Sequence, residues 1–359
     1  MASALTAEQK RDFVRDGYVV IKNAVPDALV GTARDIIRAG MPASERRLLA
    51  PAELATHPDV IRLFRETSLA EIMRKEMGPF PDVVSCQIAV TPPFDRLSGI
   101  PGPHVDGSWG GAIPSSADEI DPIKGRPIDA ARYFGEDDDR RGTNDGTLWQ
   151  DPDRRISLGS YTALVGVALN DQLEPGNGQL GVLKGMHEEV EAAFRMQRDC
   201  GGVIGPEGPG WPRIKIREDG RPFLNGLPET VRAKAREAAK DLPTIAGWPW
   251  REVTPVLLGA GDAVIALHAC PHTATPNLGP NARMNLYFRI RRWRDGNPHE
   301  GARRVGHGVS DHPDRGYYGQ FLDYPPEYDA WGTSIAKLCD HWSEWDFLSN
   351  ESLGEANSA

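Results

Sequence analysis

No run in these 359 residues comes near the roughly 18 consecutive apolar residues that a helix needs to cross a bilayer. The opening MASALTAEQK has no apolar stretch of the kind a secretory leader carries, so the expectation is a cytoplasmic protein without a membrane partner. Cysteine is sparse: Cys86, Cys200, Cys270 and Cys339 stand far apart with no CxxC spacing, which suggests neither a thiolate zinc site nor a disulfide framework. Positive charge is short too. Lys and Arg number 41 against 51 Asp and Glu, a formal net charge of −10, and a surface of that sign is unsuited to phosphate backbones, so nucleic acid is set aside as a partner. There is no internal repeat and no linker poor enough in apolar residues to separate one domain from another. What is plentiful is Gly (38) and Pro (30), high for a helical protein and in keeping with a loop-rich β architecture. One domain spanning 1–359 is expected.

Thr6 followed by Gln9 forms a capping-box pattern, and the helix it opens should stop at Gly17. A strand is expected at 18–21, and a second helix from Pro26-Asp27 with Leu29, Val30, Ala33, Ile36 and Ile37 at helical spacing. A further helix fits 68–76, and a strand fits 83–90, stopped by Pro92-Pro93. Strands are also expected at 161–169 and 179–183, joined through Pro175-Gly176-Asn177-Gly178 as a hairpin on the strength of Asn-Gly. Others fit 252–258, 263–268 and 284–292. Two insertions interrupt the pattern, at about 111–157 and 188–250. The second holds one helix at 228–240 in otherwise irregular chain, and a last helix falls near 334–342.

His104 and Asp106 form an H-x-D pair, and on extended chain side chains two apart point the same way. An imidazole and a carboxylate so placed need one more imidazole to make the two-histidine, one-carboxylate face that holds iron(II) in oxygenases. His268 and His272, both in GDAVIALHACPHTATPN, can supply it, and strand parity does not separate positions four apart. Arg283, eleven residues beyond His272, opens the next strand, and a guanidinium inside a pocket calls for a carboxylate to match it.

Four segments in order, LTAEQKRDFVRDGYVVIKNAVP, HVDG, ALNDQLEPGNGQLGVLKGMH and GDAVIALHACPHTATPN with Arg283 after it, resemble the phytanoyl-CoA dioxygenase family over most of the chain. The resemblance implies a mainly β fold with flanking helices around a double-stranded β-helix, the jelly roll of cupin-like proteins. It implies iron(II) held by His104, Asp106 and His272, and 2-oxoglutarate held through its far carboxylate by Arg283, with Gln87, Thr273 and Trp109 around the cosubstrate. The implied activity is that of a dioxygenase: dioxygen is consumed, a small-molecule substrate is hydroxylated, and succinate and carbon dioxide are released. Asp106 favours hydroxylation over halogenation, because halogenating relatives carry a small residue there. The chain departs from the family at Ala274, where a serine is common, and at Met186, which replaces the serine before His187.

If Arg283 points inward, Asn285, Tyr287 and Arg289 share its face, and Tyr287 or Arg289 is expected to touch the substrate, which would then be anionic. His187 is read as structural, and Trp331, Trp342, Trp345 and Phe347 as packing on the barrel. A zinc hydrolase using the same three ligands, or a non-catalytic ligand-binding relative, are the alternative classes.

Overall fold

Local signals near the start of the chain are obeyed closely. The Thr6 hydroxyl accepts from the Gln9 N–H (3.1 Å) while the Gln9 side chain accepts from the Thr6 N–H (2.9 Å), and helix α1 (Ala7–Asp16) then ends at Gly17, whose φ is +79°. That residue must be glycine on a second count, because a Cβ there would lie 2.5 Å from His187 Nδ1. The computed structural model describes residues 4–41, 52–80, 82–93, 102–105, 156–158, 162–199, 210, 215–216, 222–223, 227–245, 248, 250–290, 303–305 and 321–324.

After α1 come β1 (Tyr18–Ile21) and four helices, α2 (Asp27–Gly40), α3 (Ala52–Ala55), α4 (Pro58–Arg65) and α5 (Ser68–Glu76). Strands β2 (Gln87–Thr91), β3 (Ile156–Leu158), β4 (Ala163–Ala168) and β5 (Leu180–Val182) precede α6 (His187–Asp199). The short β6 (Lys215–Ile216) and β7 (Pro222–Phe223), α7 (Glu229–Ala238), β8 (Thr254–Pro255), β9 (Ala263–Leu267), β10 (His272–Ala274), β11 (Arg283–Ile290), β12 (Arg303–Val305) and β13 (Phe321–Tyr324) follow. Five strands form an antiparallel sheet in the order β1-β9-β4-β11-β2, and a smaller antiparallel sheet has the order β10-β5-β8. A third sheet, β12-β13-β3, and the pair β6-β7 complete the pairings. From β4 to β11 the chain passes back and forth between the two main sheets.

The two faces of β11 separate by residue parity. Met284, Leu286, Phe288 and Ile290 join Ile37, Phe64 and Met73 of the helices in one buried cluster, with the Phe288 and Phe64 rings 5.3 Å apart. Each large side chain so buried stabilises the fold by about 1.5–3 kcal/mol. Arg283, Asn285, Tyr287 and Arg289 turn the other way, toward the smaller sheet. Gln172 marks that direction, because its N–H donates to Leu258 O (2.8 Å), three residues beyond β8, while its Nε2 donates to Asn285 Oδ1 (2.6 Å).

Four expectations need correction. Residues 83–86 are not strand: the Cys86 N–H donates to Ala55 O (3.0 Å) instead of continuing the ladder with β11, so β2 starts at Gln87. The hairpin is absent. β4 and β5 lie in different sheets: a type I′ turn on Asn177-Gly178 would need positive φ at both residues, whereas here positive φ falls on Gly176 and Gly178, and Asn177 between them pairs with Asn277. The strand at 252–258 shrinks to Thr254–Pro255, because Pro255 has no N–H to give and β5 offers only three residues. Helix α6 occupies chain expected to be irregular, burying Val190, Ala193 and Phe194 at helical spacing. Most of the first insertion, the expected helix at 334–342 and the four C-terminal aromatics lie outside the described residues.

Candidate functional site

His104 and His272 come from segments far apart in sequence and meet in an isolated antiparallel bridge. The His104 N–H donates to His272 O (2.9 Å) and the His272 N–H to His104 O (2.8 Å), which sets both side chains on one face with ring centroids 4.8 Å apart. Each ring is oriented by the same local device. His104 Nδ1 lies 2.8 Å from Gly102 O and His272 Nδ1 lies 3.2 Å from Cys270 O, a carbonyl two residues back in both cases. A carbonyl can only accept, so the proton of each ring sits on Nδ1, and Nε2 carries the lone pair that a metal takes. His272 stands opposite Val182, a member of the main core cluster, so its face of β10 looks into the space between the two sheets.

The same space receives the polar stripe of β11. Arg283 is 2% exposed, its Nη1 is 3.4 Å from the Tyr287 hydroxyl, its ε N–H has no hydrogen-bond partner, and among the described residues no carboxylate pairs with it. A buried guanidinium left so is destabilising by several kcal/mol unless an anion joins it. Packing around it is tight, for a Cβ on Gly178 (φ +73°) would come to 2.9 Å from the Asn277 Cβ and 3.4 Å from that of Arg283. At the other end of the stripe Arg289 Nη1 donates to Gln87 Oε1 (3.0 Å). Six residues of strand separate the two arginines by about 20 Å. Gln87 is thus tied to Arg289 and stands opposite Tyr287, away from the Arg283 end.

Thr273 does not share the face of the histidines. Alternation along β10 turns it to the other side with Thr275, against Gly181, and its hydroxyl donates to Ala274 O (3.1 Å). His268 is also elsewhere: its N–H donates to Thr162 O (3.2 Å) and its ring stacks on Phe194 at 6.3 Å, so of the two histidines that parity left open, His272 is the one beside His104. Among the described residues no third His, Cys, Asp or Glu completes a metal-holding group with the pair. Asp106 and Trp109 lie outside the described residues.

No protein-family model matches the chain, and no curated protein matches it either. Solved structures do. The chain is similar to the non-haem alpha-ketoglutarate-dependent carbocyclase SnoK from nogalamycin biosynthesis, at 16% identity over 80% of this chain and 84% of that one, with a TM-score of 0.40. HygX from Streptomyces hygroscopicus with nickel and 2-oxoglutarate bound is 14% identical over 79% and 86%, with a TM-score of 0.41. EctD from S. alaskensis with 2-oxoglutarate and 5-hydroxyectoine is 14% identical over 81% and 77%, also at 0.41.

Three further groups are structural. Burial pushes the Cys270 thiol up to about 12 and raises Cys86 as well, so neither is a nucleophile at neutral pH. His187 is buried against Gly17 and its Nε2 is 3.1 Å from Val14 O; burial pushes it down from 6.5 to about 4. The unfolded chain therefore binds the extra proton between those two values. Stability is complete above pH 6.5 and falls as the pH drops toward 4, by about 3 kcal/mol in all. Thermal melts at pH 7.5 and 5 should show about 2 kcal/mol of that loss, and His187→Gln, which keeps a donor for Val14 O, should flatten the dependence. No helix of the described residues is long and apolar enough to cross a membrane.

Proposed function

We propose that the protein is an oxygenase dependent on iron(II) and 2-oxoglutarate, built as one domain with a double-stranded β-helix core and interrupted at about 111–157 and 188–250. The observation that carries the reading is the joint orientation of two elements. A histidine pair with matched Nδ1 restraints and a buried Arg283, without a carboxylate partner among the described residues, face one inter-sheet space. A dipositive ion suits the first, and the far carboxylate of a dicarboxylic oxo-acid suits the second.

In this reading His104, Asp106 and His272 would hold the metal. Iron with 2-oxoglutarate and dioxygen supplies an oxidation that converts the oxo-acid to succinate and carbon dioxide. The protein's own contribution is placement. The two Nδ1–carbonyl bonds orient both imidazoles, Arg283 would fix the end of the oxo-acid, and Val182 and Leu180 keep water from the space between. Asp106 fills the carboxylate position, which favours hydroxylation of a small molecule. Arg289, braced by Gln87 at the far end of the stripe, is the group for an anionic substrate; Arg289→Ala should raise the substrate KM and leave 2-oxoglutarate affinity alone.

An anaerobic titration of the full chain with iron(II) and then 2-oxoglutarate tests the core of the proposal. A weak visible charge-transfer band should grow with the oxo-acid, and admission of oxygen should yield succinate. Bound metal without such a band, and activity that persists without oxygen, would move the zinc hydrolase to the front.

A further inference from the structure

Among the described residues His104 pairs with the small sheet through an isolated bridge, so the aim of its ring depends on what else holds the chain around it. The group that turns the ring is the Gly102 carbonyl, 2.8 Å from Nδ1. A glycine has no side chain to settle its own torsions, and a carbonyl that swings does not orient an imidazole. Packing has to supply the restraint. Apart from chain neighbours, one described side chain comes within 4 Å of where a Cβ on Gly102 would stand: that of Trp250, with its Cζ2 4.0 Å away in ordinary van der Waals contact.

Trp250 is itself fixed from both directions along the chain. Before it, Trp248 is buried and its N–H donates to Ile245 O (3.0 Å). After it, Arg251 Nη1 donates to Lys240 O (2.6 Å), and Val253 is buried against Gly181, where a Cβ would come to 2.4 Å from it. Then β8 pairs with β5, and β5 with β10. The contacts close a circuit: His104 to His272, β10 to β5, β5 to β8, and Trp250 back to Gly102. Trp250 is half-buried, so taking its ring away removes little of the core.

We infer that Trp250 is a positioning residue for His104: its indole packs on Gly102 and so holds the carbonyl that orients the ring, with the proton on Nδ1 and Nε2 turned to the site. The inference rests on the oxygenase reading for what His104 holds, and on the contacts alone for how His104 is held. It gives the end of the second insertion a part in the site. The effect passes through Gly102 and a hydrogen bond, so it has a signature that a loss of packing alone lacks.

Two measurements on the full chain test it. Ring-nitrogen NMR of the metal-free protein with isotope-labelled histidine, at pH 8, reads the His104 tautomer, assigned by the signal lost in His104→Gln; anaerobic calorimetry with iron(II) reads the metal. Trp250→Ala should move His104 from the Nδ1–H form to a mixture of tautomers and weaken iron(II) roughly ten-fold. Trp250→Phe, whose ring stops short of Gly102, should fall between. Adding Gly102→Ala to it should recover the wild-type values, because the new methyl closes the gap and Gly102 does not hold a positive φ. A Trp250→Ala protein with the wild-type tautomer and iron affinity, whatever its melting temperature, overturns the inference. A wild type that binds no iron(II), while the tautomer still shifts in Trp250→Ala, overturns the oxygenase reading and supports the inference.

Discussion

His272→Ala should abolish iron(II) binding to the full chain, with a loss of more than roughly a hundred-fold in affinity, and should leave the fold in place. The two effects separate because His272 serves the architecture with its main chain, whereas in the proposed site it would serve the metal with its ring. Its N–H and C=O make the bridge to His104, and an alanine keeps both. Circular dichroism and the melting temperature should therefore change little while the metal is lost. His268→Ala is the contrasting case. That ring is fully buried against Phe194, so its removal should lower the melting temperature and leave iron bound. Equal metal binding by the wild type and His272→Ala would remove the site from this region of the molecule.

Arg283→Met should make the ligand-free protein more stable, by about 1–3 kcal/mol, and at the same time weaken 2-oxoglutarate by roughly two to three orders of magnitude. A methionine of similar volume fills the cavity without a charge to desolvate, and the Asn285 and Tyr287 side chains keep each other's hydrogen bond. Without the guanidinium, the far carboxylate would enter the space between the sheets with its strongest donor gone. Arg283→Lys should not rescue binding, since an ammonium lacks the planar fork and its ε N–H. Urea melts with and without 2-oxoglutarate read both effects in one experiment: ligand should stabilise the wild type and not the variant. A variant that is less stable without ligand would mean that the arginine is satisfied inside the protein.

Signals that act over one turn or one strand could be read from residues alone. The capping box at Thr6, the stop at Gly17, the helix Ser68–Glu76 and the alternation of β11 each depend on spacing within a few positions, and all are realised. Pairings between distant segments were less legible. Asn-Gly at 177–178 has the composition of a hairpin turn, but which residues adopt positive φ is decided by the pairing of Asn177 with Asn277, a hundred residues away. Thr273 illustrates the same limit within the site: it adjoins His272, and alternation turns it to the other face because 272–274 is a strand, which its pairing with β5 establishes. Trp250 has no signature in sequence either, since its contact with Gly102 joins segments far apart in the chain.

The strand order of the large sheet also dictates a timetable. Its pairings, β1 with β9, β9 with β4, β4 with β11 and β11 with β2, never join consecutive strands; Tyr18 lies against Ala266 and Thr91 against Arg283. During synthesis, Val19, Ile21 and the apolar faces of α2, α4 and α5 leave the ribosome long before the strands that cover them exist. Folding of the sheet must wait for residue 290, and such non-local closure is slow and exposed to aggregation on the way. Chains released before β11 would hold β2 and β4 with nothing to lie between them.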